Sequence, residues 1–168
     1  MAISGRHLRF ICIEQGIIPV VFNFFLNGFI AWMVFQSMES VPLWGQTSLG
    51  VDLLLTAFLL PFLTTVISSV IIKKQVLSKK VPPLYLYYLN GVGWLRCSPV
   101  RFGIIFGLFC VVFCAIPMVW ILSLSHLQAI SVDSYIIFKS GWAAMLSLLV
   151  SPVVGWWALA KVSSDVVA

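Results

Sequence analysis

Four apolar runs fill most of this chain, at residues 17–35, 51–72, 102–124 and 140–160. A helix rises about 1.5 Å per residue, so about twenty residues cross a hydrocarbon core of about 30 Å. Charged residues make up 9% of the 168 positions, against about 25% in a soluble domain. A chain of that composition cannot keep a solvated surface in water. Stretches such as 53–62 lack the in/out alternation of barrel strands. The expectation is an all-α, four-helix transmembrane bundle in a single integral membrane domain covering 1–168.

The charges set the topology. Arg6, Arg9, Lys73, Lys74, Lys79, Lys80, Arg96, Arg101 and Lys161 fall on one side of a four-span arrangement, and only Lys139 falls on the other. Glu39, Asp52 and Asp133 lie on or near that opposite side. This positive-inside asymmetry predicts both termini in the cytoplasm. It also accounts for the net charge of +5 without nucleic acid as a partner. No small-x-small cleavage site follows the first run near residues 30–32, so that run reads as a retained anchor.

The first span is expected to begin after a break. Phe10 opens a short apolar stretch, Glu14, Gln15 and Gly16 interrupt it, and Pro19 suits a first helical turn. Outer loops are expected at 36–48 and 125–139. Between the second and third spans, residues 73–101 form the longest non-spanning segment. It starts with Lys73, Lys74, Lys79 and Lys80 and continues with Tyr85, Tyr87, Tyr88 and Trp94 among leucines. Tyr and Trp favour headgroup depth, so the segment reads as lying on the inner membrane surface. Its lysines are candidates for binding anionic lipid or a partner. Trp156 and Trp157 beside Lys161 read as an interfacial anchor.

The two halves share a spacing. Arg9-Phe10 matches Arg101-Phe102, Gly50 matches Gly141, and Pro61 matches Pro152. This predicts two parallel two-helix repeats about an axis along the membrane normal.

Polar groups inside a bilayer are costly, about 2.5–3.5 kcal/mol for a charge at a helix centre. The candidates are therefore Asp52, Asn23, Asn27 and Glu14. Asp52 reads either as an outer cation- or proton-binding carboxylate or as a first-turn acid favoured by the helix dipole. Asn23 and Asn27 share one helix face and read as a polar lining or as interhelical glue. Glu14 is an interfacial residue, paired with Arg6 or Arg9, or a proton carrier if submerged. Small residues form stripes at Gly103/Gly107, at Ala143, Ser147, Ser151 and Gly155, and at Thr64/Ser68 and Thr65/Ser69. Such stripes let backbones approach, within a bundle or a homo-oligomer. Pro61, Pro117 and Pro152 are expected as structural kinks.

Cys12, Cys97, Cys110 and Cys114 all miss the outer loops, so no structural disulfide is expected. Cys110 and Cys114 share a helix face and read as packing residues. His7 and His126 lie at opposite ends, and no metal, haem or phosphate-loop pattern appears. No catalytic residue, metal or cofactor is therefore assigned.

The stretch Val41-Pro42-Leu43-Trp44-Gly45, then Asp52, then Phe58-Leu59-Leu60-Pro61-Phe62 resembles small uncharacterised bacterial four-span inner-membrane proteins with no assigned activity. Glu14-Gln15-Gly16 followed by Asn23 and Asn27 fits the same pattern. The resemblance covers the first half of the chain and implies a bacterial four-span protein, with no residue roles. The leading expectation is a non-enzymatic, permease-like protein or accessory subunit, in a homo-oligomer or with another membrane protein. The alternative is an assembly module that binds lipid or a partner through 73–101, and a membrane-embedded enzyme ranks last.

Overall fold

The computed structural model describes residues 10–82, 97–125 and 128–167. Arg6, His7, Arg9, Arg96, His126 and the aromatic stretch 84–95, with its expected placement on the inner membrane surface, lie outside the described residues.

Four helical spans are present: Cys12–Phe35, Leu49–Leu77, Pro99–Leu124 and Val132–Ser164, each long and apolar enough to cross a membrane. The chain is a multi-pass membrane protein with a helical-bundle fold. Charge marks the borders of the slab. No Asp, Glu, Lys or Arg lies between Asp52 and Lys73, or between Lys139 and Lys161. Those intervals are about 32 Å of helix at about 1.5 Å per residue, close to the thickness of a hydrocarbon core.

Three boundaries depart from the sequence expectation. The first span has no break at Gly16. A π-helical segment, Phe10–Ile17, runs directly into the α-helix Ile18–Phe35. The fourth helix runs from Val132 to Val167, not 140–160, so Lys139 sits in a helix rather than a loop. The second helix extends to Leu77, past Lys73 and Lys74. The prolines explain the first of these. Proline lacks an N–H and crowds the carbonyl four residues back. A π-turn moves the bonding partner to five residues back and widens the helix. The third span uses the same device. Its helix Pro99–Cys110 passes through π-helical Val111–Ala115 into Ile116–Leu124, and Ile116 N–H donates to Val111 just ahead of Pro117. Pro61 and Pro152 lie inside uninterrupted helices.

The fourth span is the hub. It packs on the first and second spans, and the second also packs on the third. Its central window is 61% buried, against 17%, 33% and 22% for the first, second and third. The first and fourth spans meet in antiparallel register along the small-residue stripe. Gln15 packs against Gly155, Asn23 meets Ser147, and Gly28 faces Ser140. The second and third spans meet where Gly103 faces Phe62 and Gly107 faces Phe58. The G-x-x-x-G stripe is thus a seam within one chain. Thr65 and Ser69 donate to the carbonyls of Pro61 and Thr65 on their own helix, which satisfies those hydroxyls without a partner helix.

The main core joins Leu53, Ala57 and Leu60 of the second span to Cys110 and Ala115 of the third and to Leu146 and Val150 of the fourth. A second core lies at the basic end, around Phe10, Ile72, Phe102 and Trp157. Trp157 is not an interfacial anchor. It is fully buried and stacks on Phe102 at 4.2 Å between centroids.

At the opposite end the two loops form a short antiparallel ribbon, β1 (Ser40–Pro42) with β2 (Ala129–Ser131). Leu43 N–H donates to Gln128, and Gly50 N–H donates to Leu43. Val41 and Leu43 are buried under this cap. A Cβ at Gly50 would lie 2.9 Å from the Leu43 carbonyl oxygen, so the loop closes over the helix start only because residue 50 has no side chain.

Gly107 of the third helix and Gly141 of the fourth offer a contrast. A Cβ at Gly107 would meet the Phe58 carbonyl at 2.9 Å, whereas one at Gly141 meets nothing within 4 Å. Gly107→Ala is expected to destabilise the bundle by about 1–3 kcal/mol, as overpacking does. Gly141→Ala is expected to stabilise it by about 0.5–1 kcal/mol through helix propensity. Thermal unfolding of the two variants in one detergent tests both signs.

Candidate functional site

Asp52 lies in the first turn of the second helix, where the dipole favours a carboxylate. The dipole is the smaller part of its environment. Lys139, one turn along the fourth helix from Tyr135, places Nζ 2.6 Å from Asp52 Oδ1 and 2.5 Å from Oδ2. Tyr135 also donates its hydroxyl to Oδ2. Residues 135 and 139 share a helix face by their spacing of four, so a single carboxylate collects both. Phe35 of the first span closes the far side, edge-on to Tyr135 at 4.9 Å.

Burial in this cluster is uneven. The Lys139 side chain is 2% exposed and the Asp52 side chain 21% exposed. Tyr135 is fully buried. The carboxylate is therefore the more open member of the pair, and the ammonium the more enclosed. An ammonium buried in this way is tolerable only with its counter-ion in place. The cluster ties together two parallel helices, the second and fourth, at the border of the slab. Lys139 was expected in a loop and was not among the candidate residues. Its spacing from Tyr135 was the available signal, obscured by starting the fourth span at residue 140.

The other polar candidates form a separate seam between the first and fourth spans. Asn23 Nδ2 donates to the Pro19 carbonyl at 2.9 Å and to Ser147 Oγ at 3.1 Å. Asn27 Nδ2 donates to the Asn23 carbonyl at 3.1 Å. The Ser147 and Ser151 hydroxyls lie 3.2 Å apart, and both residues are fully buried. Gln15 is buried against Gly155 at the lower end of the same seam. Asn23 thus links the first helix to the fourth, while Asn27 bonds within its own helix. Asp52 belongs to a different cluster on a different pair of helices.

Glu14 is exposed near the basic end, where it accepts from Gln75 Nε2 at 3.2 Å. Lys73, Lys74, Lys79 and Lys80 are exposed at the same end, around the end of the second helix. That helix ends in a Schellman turn. Lys80 N–H donates to Gln75 and Lys79 N–H to Val76, with Lys79 at φ 58°. The left-handed conformation costs a non-glycine residue about 1 kcal/mol. Cys110 is buried in the main core and Cys114 packs against it. Among the described residues, no group of three or more His, Cys, Asp or Glu is placed to hold a metal ion.

No protein-family model, curated protein or solved structure matches this chain. The residues themselves carry the functional argument.

The uneven burial of the ion pair fixes the order of mutational effects. Asp52→Leu strands the buried ammonium and is expected to cost about 3–5 kcal/mol. Lys139→Met leaves the more open member of the pair, which retains the Tyr135 bond, so its cost is expected to be smaller. The double variant is expected to be more stable than Asp52→Leu alone. Denaturant unfolding in a fixed detergent gives the order, and a Lys139→Met defect as large as that of Asp52→Leu would contradict it.

Proposed function

We propose that this multi-pass membrane protein is a non-enzymatic accessory subunit of a membrane complex. In this reading it sits in the inner (plasma) membrane with both termini cytoplasmic, and it assembles with a different membrane protein. The supporting observation is where the polar candidates spend their bonds. Both carboxylate oxygens of Asp52 are engaged by Lys139 and Tyr135. Asn23 bridges to Ser147, and Asn27 bonds back to Asn23. The Asp52 and Asn23 bonds hold helices to one another and the Asn27 bond stays within its helix, whereas a permease needs such groups open to its solute. The first span supplies the surface for assembly. It is the least buried of the four, and Phe22, Phe25 and Phe29 stand exposed along it. The resemblance to small bacterial inner-membrane proteins agrees with this location.

The competing reading is transport at a subunit interface, with Asp52, Asn23 and Asn27 lining the path. Extraction into native lipid discs at natural expression level, followed by native mass spectrometry, separates the two. The accessory reading expects recovery with a second membrane protein at fixed stoichiometry. A symmetric self-assembly would overturn it if its reconstituted vesicles carry a proton-coupled flux that Asp52→Asn abolishes.

A further inference from the structure

The basic end carries a rim of five exposed cations. Lys73, Lys74, Lys79 and Lys80 surround the end of the second helix, and Arg101 lies in the first turn of the third. None of the five makes an ion pair among the described residues. The second and third spans pack directly against each other, so the two groups belong to neighbouring helices. Lys73 lies about 32 Å of helix from Asp52, which puts the rim at headgroup depth. Within about one turn of Lys73 and Arg101 on the same helices, Val70, Ile71, Ile104 and Ile105 are exposed apolar side chains.

Lys79 adds a further indication. It holds the left-handed position of the Schellman turn, φ 58°, where glycine is the usual residue. A cation near the helix C-terminus is favourable, but Lys74 already supplies one in the last turn. Lys79 therefore adds charge to the rim at a backbone cost that a glycine would avoid.

We propose that Lys73, Lys74, Lys79, Lys80 and Arg101 hold the headgroup of an anionic phospholipid whose acyl chains lie along the second and third spans. A cationic rim directly above exposed apolar flanks matches an amphiphile. A soluble anion would use only the rim, and a neutral lipid only the flanks. The inference is independent of the accessory reading, since either an accessory subunit or a transporter can carry such a site.

The test uses the full chain in lipid nanodiscs of mixed phosphatidylglycerol and phosphatidylcholine, with lipids retained after ejection counted by native mass spectrometry. Both faces of a disc meet the same buffer, so the contribution of these lysines to membrane orientation does not enter. The expected result is preferential retention of phosphatidylglycerol by about tenfold, weakening with salt as surface electrostatics do. Changing the four lysines to Gln is expected to remove the preference, and changing them to Arg to preserve it. Lys79→Gly is expected to lower retention while raising the melting temperature, an opposition that a purely structural role would not produce. Equal retention of the two lipids by the wild-type chain overturns the proposal. So does a folded Gln variant that keeps the preference, or ready displacement of the lipid by inorganic phosphate.

Discussion

A bilayer core offers no water to satisfy a polar group, so each one must find its partner within the protein. The fourth span shows what that requirement does to a fold. It carries Tyr135 and Lys139 toward the second span, and Ser147 toward the first. Apolar packing alone does not determine which helices become neighbours, because lipid tails are as apolar as leucine. Here the polar contacts do. A carboxylate on the second helix and an asparagine on the first both have complements on the fourth, and the fourth is the most buried of the spans. Among the described residues the third span has no such partner, and it docks instead through Gly103 and Gly107, whose missing side chains admit Phe62 and Phe58.

The two kinds of contact act differently. Glycine seams depend on shape and tolerate some sliding along the helix. A bidentate ion pair fixes rotation and depth together, because Lys139 reaches Asp52 only when both helices present those faces at one level. The pair sits at the slab border, where its desolvation penalty is smaller than at the centre. The ribbon β1–β2 sits at the same end, so the ion pair and the loop pairing restrain one end of the bundle twice. The opposite end is held by stacking and apolar contacts, with Trp157 on Phe102 among them.

The class of fold was legible because hydropathy over twenty residues is a strong signal that local detail does not disturb. Helix ends were not, and the reasons are specific. Gly16 and Pro19 are interrupting types in water, but in a membrane a broken helix exposes backbone groups, and a π-turn costs less than a break. Lys139 looked like a loop residue because a charge normally ends a span. Its counter-ion is 87 positions away, and no local rule reveals that distance. The ribbon was hidden for a related reason, since three-residue strands with a proline carry no alternation to read. The asparagine pair and the small-residue stripe were visible as residue types, while the register joining Asn23 to Ser147 required the tertiary structure.

The paired glycines of the two halves show why matching spacing does not imply matching roles. Gly50 is held under the Leu43 carbonyl by the ribbon, and Gly141 has open space around its Cα. The second half carries Ala143 where the first carries Asp52, and its buried charge, Lys139, lies four positions earlier. The acid on one helix and the base on the other lie at similar depth, so they meet as partners across the interface between parallel helices. A carboxylate at both positions would have placed like charges together at the slab border. An asymmetric acid–base pair neutralises itself and locks the two parallel helices in register.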